Sequence, residues 1–220
     1  MWLFATSAAI LLPPLTPLAP QPECLAAHYF SDTAQWLVPG RIMLGRYPAS
    51  CPTRPIPAAA QRERVTSIAA AGVNTFVCLQ AELPPQDTAW DDSSQGVVPK
   101  GTFVQYGADA LANGARTLHF GILDRQPAES LEALDRLVVE LRRRVLDGDV
   151  LYIHCWGGRG RTGLVAACLL GALYPSIDEA EALERVQAYF SLREPGGLSP
   201  ETPAQVRQVQ DWFYGYRDTV

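Results

Sequence analysis

From Ser130 to Leu146 the apolar residues Leu131, Leu134, Leu137, Val138, Leu141 and Val145 recur every three or four positions. An α-helix gathers that spacing into one stripe, so the segment predicts an amphipathic helix. Arg142, Arg143 and Arg144 follow in its last turns, where cations suit the helix dipole, and read as a solvated helix end. Asp147, Gly148 and Asp149 stop it. Val150 to His154 is a short apolar strand, and Leu164 to Leu173 is an apolar helix buried nearly all round. Upstream, Ala58 to Ala71 predicts a helix closed by Gly72, and the β-branched run Val73 to Leu79 fits a buried strand. Trp36 to Tyr47 reads as two short strands about a Pro39-Gly40 turn, and Arg116 to Ile122 as another strand. Asp178 to Phe190 and Pro203 to Phe213 complete the helices, while the Pro-rich residues 48–57 and the Pro-, Asp-, Ser- and Gly-rich residues 83–101 read as loops. Strands alternating with helices predict an α/β fold with a central, mainly parallel sheet and helices on both faces.

The 220 residues suit a single domain, and an apolar fraction of 48% can supply its core. A net charge of -5 argues against a nucleic-acid binder. The five cysteines, Cys24, Cys51, Cys78, Cys155 and Cys168, are odd in number and widely spaced, with no CxxC. This is neither a disulfide framework nor a zinc pattern, and it points to a reducing, cytoplasmic setting. Residues 1–27, rich in Pro, Ala and Leu, read as an extension to the domain at 28–220. The apolar run from Met1 breaks at Pro13, short of the ~20 residues a transmembrane helix needs. The first basic residue is Arg41, which does not suit a secretory or transit signal. A cleaved or membrane-touching segment is the other reading of this stretch.

The chemistry concentrates in Val150-Leu-Tyr-Ile-His-Cys-Trp-Gly-Gly-Arg-Gly-Arg-Thr-Gly163, a buried strand, a glycine-rich loop and a helix start. Such a turn directs successive backbone N–H groups into one concavity, and the helix N-terminus adds partial positive charge. Gly157, Gly158 and Gly160 permit the backbone angles of that cradle, which suits a tetrahedral oxyanion, with Trp156 and Arg159 as its remaining members. Cys155 opens the loop and Arg161 lies six positions on. A thiol over a helix N-terminus and near arginine is expected to be largely thiolate, in a range of roughly 3.5 to 7.5. Arg161 can hold two phosphate oxygens through its planar fork. A thiolate beneath a phosphate so held is placed for in-line attack.

His154, Cys155, five residues, Arg161 and Thr162 resemble the loop of the cysteine-dependent tyrosine phosphatase superfamily. Trp36-Leu-Val-Pro-Gly-Arg-Ile-Met-Leu-Gly-Arg-Tyr-Pro48 is similar to the opening strands of its compact dual-specificity members, and the likeness runs over about residues 35–215. The resemblance implies phosphomonoester hydrolysis through a cysteinyl-phosphate, without metal or cofactor. It also implies a general acid on an upstream loop. His119-Phe-Gly-Ile-Leu-Asp-Arg-Gln-Pro127 is similar to that loop and nominates Asp124, with Asp109 and Asp87 as alternatives. By the same likeness Thr162 hydrogen-bonds the departing thiolate, and His154 orients the loop and helps keep Cys155 ionised. Gln205, in Ser199-Pro-Glu-Thr-Pro-Ala-Gln205, positions the hydrolytic water. The partner it implies is a phosphorylated protein or other phosphomonoester, acted on by a monomer with no transmembrane segment. Phosphotyrosine, phosphoserine or phosphothreonine, phosphoinositides and RNA 5′-phosphates all remain open as substrates.

Competing readings exist for each part. A non-catalytic phospho-binding module would keep the cradle and lose Cys155, Arg161 or the acid, and all three are present. A rhodanese-type sulfurtransferase also sets a cysteine loop over a helix, but the Arg161-Thr162-Gly163 ending argues against it. Gly158-Arg-Gly-Arg-Thr-Gly163 spells a dinucleotide-binding GxGxxG, yet Asp178, the acid at the right distance, reads as a helix start. Cys168 and Cys78 read as core residues. Some relatives protect their nucleophile with a second cysteine, which makes a reversible Cys78–Cys155 disulfide a reading for this chain. His28 and His119 read as structural. Arg159 is either a surface charge or a contact for a second anionic group on the substrate.

Overall fold

The computed structural model describes residues 25–84, 88–91 and 103–217. A short helix α1 (Leu25–His28) leads into β1 (Tyr29–Ser31), β2 (Ala34–Val38) and β3 (Ile42–Gly45). These are followed by α2 (Ala58–Ala70), β4 (Thr75–Gln80), β5 (Thr88–Asp91), α3 (Gly107–Ala112) and β6 (Arg116–Ile122). The chain closes with α4 (Leu131–Leu146), β7 (Leu151–His154), α5 (Gly160–Leu173), α6 (Glu179–Ser191) and α7 (Pro203–Gly215). The seven strands form one sheet in the order β1-β2-β3-β7-β4-β6-β5. The β1–β2 and β2–β3 pairs are antiparallel, and every pair from β3 onward is parallel. This is the mainly parallel α/β sheet that the alternation predicts.

Helices cover both faces. Helices α4 and α5 bring Leu134, Leu137, Val138 and Leu141, and Leu164, Val165 and Leu169, onto Val77, Leu118 and Ile153 of the sheet. Val186 of α6 and Val209 and Trp212 of α7 close that layer. On the other face Val65 and Ile68 of α2 and Ala110 of α3 pack on Phe76 and Tyr152. Each fully buried leucine of α4 contributes about 1.5–3 kcal/mol. Sequence caps set the helix starts. Ser130 accepts from Ala133 N, Asp178 from Glu181 N, and Thr202 forms a capping box with Gln205 beside a proline in the first turn. Asp178 is thus a helix cap. Between β2 and β3 the predicted turn holds Gly40 at φ 70°, and Arg41 N donates to Val38 O.

Several elements differ from their sequence expectation. Residues 83–101 read as a loop, but Thr88–Asp91 pair with β6 as the parallel edge strand β5. Four residues carry no usable alternation, and backbone pairing with a strand far along the chain makes the edge. Helix α3 lies in a stretch with no helical apolar period. Helix α5 starts at Gly160, four residues before the predicted Leu164, because the loop glycines run straight into the helix. Leu25–Ala27, assigned to the extension, join His28 in α1, and His28 stacks on Tyr189 at 3.7 Å. The rest of that extension, residues 1–24 with Cys24, lies outside the described residues.

The end of α4 also departs from expectation. Arg144 is 8% exposed, donating to Glu140 at 2.6 Å and to Asp149 at 3.2 Å, and Arg142 donates to Ala172 O at 3.0 Å. Only Arg143 remains largely in solvent, at 55% exposure of its side chain. Arg144 closes the turn into β7, since Asp149 also accepts from Thr75 of β4. Arg144→Ala is expected to cost about 2 kcal/mol, because it removes charged hydrogen bonds from Glu140 and Asp149 at a largely buried turn and leaves them only Arg143 and Thr75 as close donors. Arg143→Ala is expected to leave stability unchanged. Urea unfolding of both variants checks this, and equal losses would refute the placement.

Candidate active site

The C-terminal ends of the parallel strands converge on one place. Arg46 follows β3, Glu82 follows β4, Asp124 follows β6 and Cys155 follows β7. The apolar residues Leu151, Tyr152 and Ile153 fix β7 between β3 and β4, with His154 opposite Cys78. His154 is fully buried. Its Nδ1 lies 3.4 Å from Cys155 O, and its Nε2 lies 2.6 Å from the Tyr106 hydroxyl. A carbonyl only accepts, so Nδ1 carries the proton and Nε2 accepts from Tyr106. Burial pulls the ring's pKa from the usual 6.5 down to about 3. His154 therefore acts as a neutral group that fixes the Cys155 backbone, and it brings no cationic charge to the thiol.

From Cys155 the chain turns over the start of α5. The loop carbonyls are held from outside. Trp156 O accepts from Arg54 at 2.5 Å and from Tyr47 N at 3.1 Å. Gly157 O and Gly158 O accept from Arg193 at 3.2 and 2.5 Å, and Arg159 O accepts from Ser199 Oγ at 2.9 Å. In a trans peptide N–H and C=O point opposite ways, so the N–H groups of Gly157, Gly158, Arg159 and Gly160 turn into the enclosed space. That space lies over the N-terminus of α5, where the helix dipole favours an anion. Of the three loop glycines only Gly158 has a positive φ, at 68°, and a Cβ there would lie 2.1 Å from Gly45 O. Cys155, at the mouth of this cradle, is 3% exposed.

Arg161 occupies the floor with 2% exposure. Its Nη1 donates to Glu82 at 2.7 Å and to Ile122 O at 2.9 Å, and its Nη2 donates to Asp124 at 3.0 Å. Burial works against its charge, but Cys155, Glu82 and Asp124 outweigh that and hold its pKa above the usual arginine value. Neither Glu82, Tyr106 nor Arg193 emerges from the sequence alone. The available signal for Glu82 is a lone carboxylate just beyond a buried, carboxylate-free strand, a position tolerated only when paired. Arg193 is buried over the Phe190 ring at 4.7 Å, and burial lowers its pKa to about 10, leaving it protonated.

The side chain of Asp124 is 27% exposed. The next residue, Arg125, takes the left-handed φ of 63°. The loop is tied to the segment before α7, with Thr202 Oγ1 donating to Arg125 O at 3.4 Å and Gln205 Nε2 to Gln126 O at 3.0 Å. Gln205 is fully buried, and its Oε1 accepts from Glu201 N and Thr202 N. Its carboxamide joins the Asp124 loop to α7. Thr162 is buried, and its hydroxyl has no hydrogen-bond partner among the described residues. Arg159 is neither bare nor central: it pairs with Glu201 at 2.5 Å. Asp109 is engaged by Gln61 at 2.8 Å, and Asp87 lies outside the described residues. Cys78 is a free buried thiol whose pKa burial pushes up to about 12, and Cys168 is fully buried in α5. His119 Nε2 donates to Gln80 O at 2.7 Å, within the sheet. A cavity of about 390 Å³ opens above the loop, lined by Arg46, Arg54, Asp124, Trp156 and Arg159 among others. No group of three or more His, Cys, Asp or Glu among the described residues could hold a metal ion. No helix among them is long and apolar enough to cross a membrane.

A strand–cysteine loop–helix cradle closed by a buried arginine defines a phosphatase fold of the tyrosine and dual-specificity kind. Residues 31–207 match the domain described as "Swiss Army Knife protein, DSP-PTPase phosphatase domain", and the chain belongs to that family. Over 73 residues it is 40% identical to protein 067L of Invertebrate iridescent virus 3, named for a tyrosine phosphatase. That match spans 30% of this chain and 30% of the viral one. Among solved structures, Tk-PTP in its active form superposes with a TM-score of 0.57 at 23% identity, over 83% of this chain and 97% of that one. Kinase-associated phosphatase with serine for its catalytic cysteine gives 0.55 at 22%, over 81% and 86%. Human DUSP28 gives 0.53 at 17%, over 86% and 97%. These likenesses establish the fold.

The neutral state of His154 has a measurable consequence. Its folded pKa, about 3, lies below the unfolded value near 6.5, so the unfolded chain binds a proton first as pH falls. The associated stability is complete above about pH 6.5 and drains away toward pH 3. His154→Gln is expected to flatten the fall of unfolding free energy between about pH 6.5 and 4, although it lowers the neutral-pH value. Parallel slopes for the two proteins in urea titrations would contradict a neutral buried ring.

Proposed function

We propose that the chain hydrolyses phosphomonoesters through a covalent phosphate on Cys155, the reaction of tyrosine and dual-specificity phosphatases. The observation that carries this is the Cys155 thiol beside a buried Arg161 whose fork is set by Glu82 and Asp124. The inward N–H groups and Arg161 take the three non-bridging oxygens. The phosphate replaces Asp124 at Arg161 Nη2, and the freed carboxyl faces the leaving oxygen. The Cys155 thiolate attacks phosphorus in line, the P–O ester bond breaks, and Asp124 gives its proton to the departing oxygen. Water then loses a proton to Asp124 and attacks the thiophosphate, and the P–S bond breaks. The Thr162 hydroxyl, which has no other partner among the described residues, donates to the returning thiolate. Gln205 serves this second step by holding the acid loop over the cradle through Gln126. No metal takes part in these steps. The reading includes a monomer in a reducing, cytoplasmic setting, in keeping with four free thiols among the described residues.

Cys155→Ser is expected to abolish turnover of p-nitrophenyl phosphate, because a serine hydroxyl is not ionised near neutral pH. Retention of more than a few per cent would sink the covalent route.

Asp124→Asn is expected to slow hydrolysis by about 10²–10⁴-fold on an alkyl or tyrosyl phosphate, and less on an activated aryl phosphate whose oxygen leaves without a proton. Equal losses on both substrates would move the acid elsewhere.

A further inference from the structure

The cavity above the cradle holds more cation than one phosphate needs. Four arginines line it: Arg46, Arg54, Arg125 and Arg159. Three of them are already matched by carboxylates. Arg46 pairs with Glu194 at 2.6 Å, Arg159 with Glu201 at 2.5 Å, and Arg125 with the same Glu201 at 3.6 Å. Arg54 differs. Among the described residues it has no carboxylate partner; its Nη2 donates to Trp156 O at 2.5 Å and lies 3.8 Å from Cys51 Sγ. Its charge is felt locally. Cys51 is held below the usual thiol value, its burial, which acts the other way, being outweighed by the hydrogen bonds from Arg54 and Thr53. The Nη1 and Nε hydrogens of Arg54 make no hydrogen bond among the described residues. Because Nη2 is bonded to the carbonyl of the residue after Cys155, the guanidinium sits at the rim of the cradle. It cannot reach the floor, which Arg161 fills.

The geometry points to a second anion subsite at Arg54, and so to a substrate that carries two phosphates on one compact scaffold. This inference rests on the phosphatase reading and narrows its substrate. The scissile phosphate sits on the loop N–H groups and Arg161, and the neighbouring phosphate accepts from Arg54. Arginine suits the task because its fork can anchor the loop with one nitrogen and bind phosphate with the others. The walls favour a small molecule over a peptide. A cavity of about 390 Å³ is in the range for a compact ligand, and its one aromatic wall among the described residues, Trp156, is pinned to Thr53 at 3.0 Å and packed on Phe103. The remaining lining side chains are charged or hydroxylic, so the apolar flanks of a phosphopeptide would meet ions.

The test compares glycerol 1-phosphate with glycerol 1,2-bisphosphate, which differ only in the neighbouring phosphate. The readout is the ratio of kcat/KM for the two on the same protein, which cancels any loss of folded enzyme. Wild type is expected to favour the bisphosphate by about tenfold, the worth of one hydrogen bond between charged groups. Arg54→Gln is expected to bring the ratio near one, and Arg54→Lys to keep part of the preference, because charge remains while the fork is lost. A wild-type ratio near one, or a preference that survives Arg54→Gln, overturns the subsite. So does a preference seen only with a tyrosine-phosphorylated peptide that carries a second phosphoserine. p-Nitrophenyl phosphate separates the two levels. No turnover of it by wild type overturns the phosphatase reading and the subsite together, whereas turnover without the bisphosphate preference removes the subsite alone.

Discussion

A guanidinium sealed from water governs this molecule. Arg161 is 2% exposed, and an unpaired charge at that depth would be far too costly. Three acceptors offset it: Glu82, Ile122 O and Asp124. They come from the ends of β4 and β6, while Arg161 itself belongs to the helix that follows β7. The charge is therefore satisfied only when three parallel strands sit in one register, with Cys78 beside both His119 and His154. Sheet order and electrostatics are thus one constraint. Removing one of the two carboxylates would leave the buried ion only partly compensated, where replacing one apolar core residue would leave only a cavity.

A second layer of polar groups shapes the loop from behind. Arg193, Arg54, Ser199 and Tyr47 N hold its carbonyls outward, and that alone turns its amides toward a ligand. The cradle is consequently formed before any anion arrives. Its preorganisation is supplied by residues from the β3–α2 connection and from the segment after α6, far from Cys155 in sequence. The Asp124 loop is built in the same manner, hung from the capping box of α7 through Gln205 and Thr202.

What could be read from the chain follows from range. Helix α4 was legible because its apolar period is local, and the turn from β7 through Cys155 into α5 because an apolar strand, a run of glycines and an apolar helix follow one another in sequence. Asp178 and Ser130 announce helix starts by residue type, and the structure puts them there. Strand β5 was not legible, since its pairing partner lies on β6. Glu82, Tyr106 and Arg193 are ordinary residues in ordinary local contexts; only the fold gives them a guanidinium, an imidazole and a row of carbonyls to serve. Arg144 misled because a cation in a last helical turn reads as solvated, whereas the period sets it at the edge of the apolar stripe and Asp149 draws it into the turn.

The contact between the loop and β3 bears on how such a chain can drift over generations. A side chain at Gly45 would strike the Tyr152 hydroxyl, so a smaller residue at 152 could make room, at the loss of the bond from Tyr152 to Arg46 O. A side chain at Gly158 would instead strike the carbonyl of Gly45 and the amide of Arg46, which every residue possesses. No second substitution can remove a backbone atom. Position 45 therefore has a route to change through a paired replacement, and position 158 has none while the two segments remain in contact.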